Sequence, residues 1–95
     1  MNIDHIKLHG RGAFVVKDGP KRLAEMTYSL IGDEAILIEH TAVDESLRGQ
    51  KVGDRLLAEA VEFARKNKLK VRATCPFALS RLRNSPDFSD VFEDL

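Results

Sequence analysis

With one cysteine, Cys75, no tryptophan and a single tyrosine, this 95-residue chain has little with which to cross-link itself. One thiol allows no internal disulfide, and a small domain without a disulfide framework fits a reducing compartment, so a cytoplasmic location is expected. The three histidines, His5, His9 and His40, are scattered and lack metal-ligand spacing, so no metal site is expected. No apolar run approaches the roughly 20 residues needed to cross a bilayer. Met1–Gly10 alternates charged and apolar residues and has no apolar signal core, so no membrane partner is expected. Charge of one sign is missing too: fifteen basic and fifteen acidic side chains cancel. A protein that neutralises many phosphates carries a basic excess, so nucleic acid is not expected as a partner. Repeats and low-complexity linkers are absent, and residues 1–95 are read as one domain.

What is present changes period part-way along. Ala13–Lys17 is short and β-branched, and Lys17-Asp18-Gly19-Pro20 follows as a turn. Arg22–Leu30 alternates, with Ala24, Met26, Tyr28 and Leu30 on one side and Glu25, Thr27 and Ser29 on the other. Glu34–Val43 is the strongest β run, placing Ile36 and Ile38 on one face and Leu37 on the other. Short turns between neighbours predict an antiparallel meander. From Val52 the period becomes helical: Val52, Leu56, Leu57, Ala60, Val61 and Ala64 share one half of a wheel. Asp54, Arg55, Glu59, Glu62, Arg65 and Lys66 fill the other half, with an end near Asn67-Lys68. Leu69–Cys75 alternates again and, following a helix, should run parallel to Glu34–Val43 through a right-handed crossover. Pro76 near a first helical position starts a short helix over Phe77–Asn84, before Ser85-Pro86 breaks it. The order β-β-β-α-β-α predicts an α+β (mixed α/β) fold.

The junction between the third strand and the long helix carries Leu47-Arg48-Gly49-Gln50-Lys51-Val52-Gly53. Glycines let backbone approach a ligand, and free N–H groups at a helix start attract anions. Arg48 and Lys51 add charge-assisted contacts, so the segment reads as a phosphate cradle. A tight turn with close helix–sheet packing would use the same glycines.

The run Arg48-Gly49-Gln50-Lys51-Val52-Gly53-Asp54-Arg55-Leu56-Leu57 resembles the acyl-CoA-binding signature of the GNAT superfamily of N-acetyltransferases, Q/R-x-x-G-x-G/A before a helix. Arg48 fills its first position and Gly53 its last, while Lys51 replaces the middle glycine. A subgroup of very small GNAT-like proteins is similar over more of the chain. It carries a His-Thr pair closing the central strand, an RGxxxG loop and a cysteine closing the next strand. Here these are His40-Thr41, Arg48–Gly53 and Cys75. The resemblance implies an acetyl-CoA cosubstrate between splayed parallel strands, with pantetheine along backbone groups of Thr41, Ala42 and Val43. It implies a pyrophosphate on the N–H groups of Gln50, Lys51, Val52, Gly53 and Asp54, with Arg48 and Gly49 beside it. Ser80, Arg81 and Arg83 on the short helix are candidates for the nucleotide end.

Three residues are candidates for chemistry. Cys75 is expected at a strand end and a helix start, where the helix dipole lowers a thiol pKa; lone cysteines are also often small buried residues. Glu39 and His40 are sequence neighbours on a strand and so are expected on opposite faces. The resemblance implies a glutamate base acting through water for Glu39, and the subgroup's His-Thr pair points to His40, whose ordinary pKa suits proton transfer near neutrality. A core imidazole is the plainer reading of His40. His5 and His9 have no expected role. The acidic tail, Asp87, Asp90, Glu93 and Asp94, would favour a cationic acceptor. The expected activity is transfer of acetyl from acetyl-CoA to a primary amine of a small molecule or protein, by a monomer or weak dimer. The alternative is a non-catalytic CoA-binding or protein-interaction module.

Overall fold

Five strands and two helices make up the computed structural model, which describes residues 1–95. Strands β1 (Asp4–Leu8), β2 (Arg11–Asp18), β3 (Lys21–Ile31) and β4 (Ala35–Val43) form an antiparallel meander. Helix α1 (Val52–Lys66) crosses over to β5 (Lys70–Ala73), which pairs parallel to β4, and α2 (Pro76–Asn84) follows. The sheet order is β1-β2-β3-β4-β5, and the fold is the expected α+β arrangement. No helix is long and apolar enough to cross a membrane.

The alternation of β3 is realised as expected: Ala24, Met26 and Tyr28 are buried, and Leu23, Glu25, Thr27 and Ser29 are half-buried on the other face. Leu30, assigned to the buried side, is exposed because it lies at the sheet's end. Helix α1 covers the buried face with Val52, Leu56, Leu57, Ala60, Val61 and Ala64. Each fully buried aliphatic side chain contributes about 1.5–3 kcal/mol of transfer free energy. Ala78 and Leu82 of α2 join the same cluster, packing mainly near β4 and β5. The C-terminal end of α1 is closed by two bonds, Leu69 N–H to Ala64 O (2.8 Å) and Lys68 N–H to Arg65 O (3.3 Å). This is a Schellman ending, and Lys68 takes the left-handed position usually given to glycine (φ 57°).

Strand β1 is an addition to the expected elements, and His5 belongs to it. Its ring stacks on Phe14 at 4.1 Å, meets Phe63 of α1 edge-on at 4.6 Å, and lies 2.6 Å through Nε2 from the Tyr28 hydroxyl. A strand this polar shows no clear alternation, which is why only pairing with β2 reveals it. His5 therefore anchors an edge strand to the core, correcting the expectation that it has no role.

The tail beyond α2 is also committed. Phe92 bridges to Val71 of β5, through Val71 N–H to Val91 O and Glu93 N–H to Val71 O. Asp90 pairs with Arg65, Glu93 with Arg72 and Asp94 with Arg83. Three of the four tail carboxylates thus neutralise arginines of the same chain, which removes the basis for reading the tail as a recognition element for a cationic acceptor.

Candidate functional site

The site begins where β4 and β5 separate. Their pairing ends at Ile38 and Ala73, and the N–H groups of Thr74 and Cys75 both reach Ile38 O, at 3.0 and 3.3 Å. Beyond that point β4 continues to Val43 with β3 on one side and no strand on the other. The strands are splayed, as the resemblance implied. Backbone groups on an open edge are available to a ligand's amides.

Across the start of the splay, Thr41 Oγ1 lies 3.2 Å from Cys75 Sγ. Cys75 is 5% exposed and occupies the N-cap of α2. Small, buried and at a helix start, it meets the plain expectation and the chemical one together.

Glu39 and His40 are placed differently from expectation. Thr27 pairs with His40 and Tyr28 with Ile38, so Glu39 is an extra residue in β4, a bulge. The extra residue shifts the alternation by one, and both side chains fall on the face opposite α1. Glu39 accepts from Ser29 Oγ at 2.8 Å, and His40 Nε2 lies 3.9 Å from Glu25 Oε2. Both are exposed. The bulge also turns Thr41 and Val43 toward the α1 side, where the cleft lies. Cys75 and Thr41 are therefore brought together on one side of the sheet, with Glu39 and His40 brought together on the other.

The loop after β4 is ordered by Asp44, whose carboxylate accepts from Ser46 N–H (3.0 Å) and Ser46 Oγ (2.6 Å). Those bonds hold its pKa below the ordinary carboxylate range. The chain then turns through Gly49 (φ 81°) and Lys51 (φ 55°), both left-handed. Lys51, in place of the signature's middle glycine, keeps the backbone conformation that favours glycine there. It is the N-cap of α1 and offers no side-chain cap, and the first helical bond runs from Arg55 N–H to Lys51 O. The N–H groups of Val52, Gly53 and Asp54 consequently have no partner within the protein, and the positive end of the helix dipole faces outward. Such a terminus is a ready anion site.

A cleft of about 520 Å³ opens here between β4, the loop and the starts of both helices. Thr41, Val43, Arg48, Gly49, Lys51, Val52, Gly53 and Asp54, all anticipated, line it. Ala42 instead borders a depression with Arg22 and Asp44, and Gln50 is exposed outside the lining. Among the helix candidates Arg81 lines the cleft, while Ser80 and Arg83 do not, Arg83 being held by Asp94. Leu47 and Phe77 complete the wall and were not anticipated. The signal for Phe77 lay in Gly53: a Cβ there would meet Phe77 Cζ at 2.8 Å, so the glycine accommodates the ring. Arg81 in turn lies over the Phe77 ring at 4.7 Å and donates through Nε to Asp54 Oδ1 at 2.8 Å. Neither Arg48 nor Lys51 forms an ion pair, and both cations stay available to an anion.

A sequence profile of the GCN5-related N-acetyl-transferase family matches residues 13–91. The chain belongs to this family. A GCN5-like protein of Staphylococcus aureus, solved by NMR, has a TM-score of 0.74 and 36% identity, covering 99% of this chain and 91% of that one. Protein NATD1 of Danio rerio is 25% identical over 87 residues, 90% of this chain and 77% of its own length. The crystal structure of a ribosomal-protein-alanine N-acetyltransferase from Brucella melitensis shares the fold (TM-score 0.65, 13% identity), covering 81% of this chain and 64% of that one. Family membership supports acetyl transfer as the class of activity, with acetyl-CoA as cosubstrate.

Proposed function

We propose that the protein is an N-acetyltransferase that takes acetyl from acetyl-CoA and passes it to a primary amine. The observation that carries this reading is the uncapped start of α1 opening into the cleft at the β4–β5 splay. The residues present suit the donor: three free N–H groups and two unpaired cations match a pyrophosphate, and the open edge of β4 matches pantetheine amides. Acetyl-CoA, when bound, supplies a thioester carbonyl open to attack by an amine.

The chain's own groups would then divide the work. Val52, Gly53 and Asp54 N–H groups hold the pyrophosphate, with Arg48 and Lys51 beside them. Backbone of Thr41–Val43 orients the pantetheine arm toward the Thr41–Cys75 pair. Cys75 and Thr41, sharing a proton at 3.2 Å, lie at the apex of the splay and can return a proton to a departing thiolate. Glu39 and His40 face the opposite side, and an amine arriving there would lose its proton to one of them.

Calorimetric titration with acetyl-CoA tests the reading. We expect micromolar binding by the wild type and loss of binding in Gly53→Glu, whose carboxylate would enter the cleft beside Phe77. A wild type that does not bind acetyl-CoA would remove the proposal. A second reading is a CoA-binding module without turnover. It is favoured by the exposure of Glu39 and His40, which no helix encloses. Acetyl transfer to a panel of small amines and amine-bearing peptides, followed by mass spectrometry in wild type and Cys75→Ala, separates the two.

A further inference from the structure

Asp54 stands in the first turn of α1, beside the N–H groups assigned to the pyrophosphate. A carboxylate there stabilises the helix through the dipole, yet it repels a phosphate bound at the same end. Arg81 answers that charge from α2. Its Nε donates to Asp54 Oδ1 at 2.8 Å, and its guanidinium plane rests 4.7 Å above the Phe77 ring. Phe77 is itself lodged against Gly53, so the guanidinium is held in a layered stack on the helix start. Arg81 is thus positioned on Asp54 before any ligand arrives, and the cleft keeps Arg48 and Lys51 as its two free cations. With Asp54 neutralised, that balance matches a doubly charged pyrophosphate diester.

We propose that Arg81 determines affinity for a pyrophosphate-bearing donor by neutralising Asp54, and does not itself read the donor. This rests on the assignment of the cleft to acetyl-CoA. Removing Arg81 exposes the phosphates to Asp54; removing both charges restores the balance.

The test is a double-variant cycle, measuring dissociation constants of coenzyme A and of dephospho-coenzyme A at low ionic strength. Asp54→Asn should tighten both ligands about threefold to fivefold, and Arg81→Gln should weaken both about tenfold. The combined variant should return to within about threefold of wild type, and Arg81→Lys should keep most of the affinity. If the loss from Arg81→Gln persists in full when Asp54 is also replaced, Arg81 meets the donor directly and the proposal falls. A loss with coenzyme A that vanishes with dephospho-coenzyme A would assign Arg81 to the 3′-phosphate instead, and would also overturn it. Should Arg81→Gln fold poorly, Asp54→Asn decides alone, because unchanged or weaker binding contradicts the argument. A wild type that binds neither ligand removes the parent assignment. A wild type that binds both with a flat cycle removes only this one.

Discussion

Helix α1 is bracketed by two lysines in left-handed backbone, Lys51 at φ 55° and Lys68 at φ 57°. For an L-residue with a Cβ this conformation costs roughly 1–2 kcal/mol. Glycine relieves that cost but loses about 0.5–1 kcal/mol through the greater freedom of the unfolded chain. The difference predicts that Lys51→Gly and Lys68→Gly each stabilise the fold by about 0–1 kcal/mol, raising the melting midpoint by up to about 5 °C. Valine at either position, β-branched and unsuited to positive φ, should lower the midpoint by a comparable amount or more. The two sites then separate in binding. Lys51 lines the cleft and Lys68 lies at the far end of the helix. Losing one cation about 4 Å from a phosphate in water-like surroundings is worth about 1 kcal/mol, so Lys51→Gly should weaken acetyl-CoA about fivefold. Lys68→Gly should leave binding unchanged. Thermal unfolding by circular dichroism, paired with calorimetric titration, reads both effects. A drop of several degrees in both glycine variants would refute the backbone argument. Equal weakening of acetyl-CoA by both would refute the placement of Lys51 at the ligand.

Two further outcomes concern the aromatic cluster under β1. Burial, and after it the Lys7 ammonium, push the His5 pKa below its ordinary value of 6.5, so the unfolded chain takes up this proton more readily than the folded one. Stability should therefore be full above that value and fall as the pH drops through it, while Asp44, Asp90 and Asp94, whose pKa values are lowered, titrate at more acid pH. Urea midpoints across this range should show the fall in wild type and lose it in His5→Gln; an equal fall in both would assign it elsewhere. Gly12→Ala would place a Cβ 2.4 Å from Tyr28 Cζ and Oη, on a ring that is 3% exposed and bonded to His5. It should destabilise the fold by about 1–3 kcal/mol, and an unchanged urea midpoint would contradict that packing.

What the sequence by itself determined was everything encoded within a few residues. The change from alternation to helical period at Val52, the apolar half of α1 and the anion-binding loop from Arg48 to Gly53 are local patterns, and each stands where it was expected. The order of elements followed, because short turns force neighbours to pair and a helix between strands forces a parallel crossover. Tertiary structure decided which distant residues meet. Thr41 reaches Cys75 across 34 positions, Asp54 reaches Arg81 across 27, and His5 reaches Tyr28 across 23. No local period carries such pairings. The bulge at Glu39 shows the limit most directly: alternation places Glu39 and His40 on opposite faces, and one unpaired residue in the register with β3 puts both on the same one. A strand's own residues set its period, but only its partner sets its register, and here the register decides which side chains face the cleft.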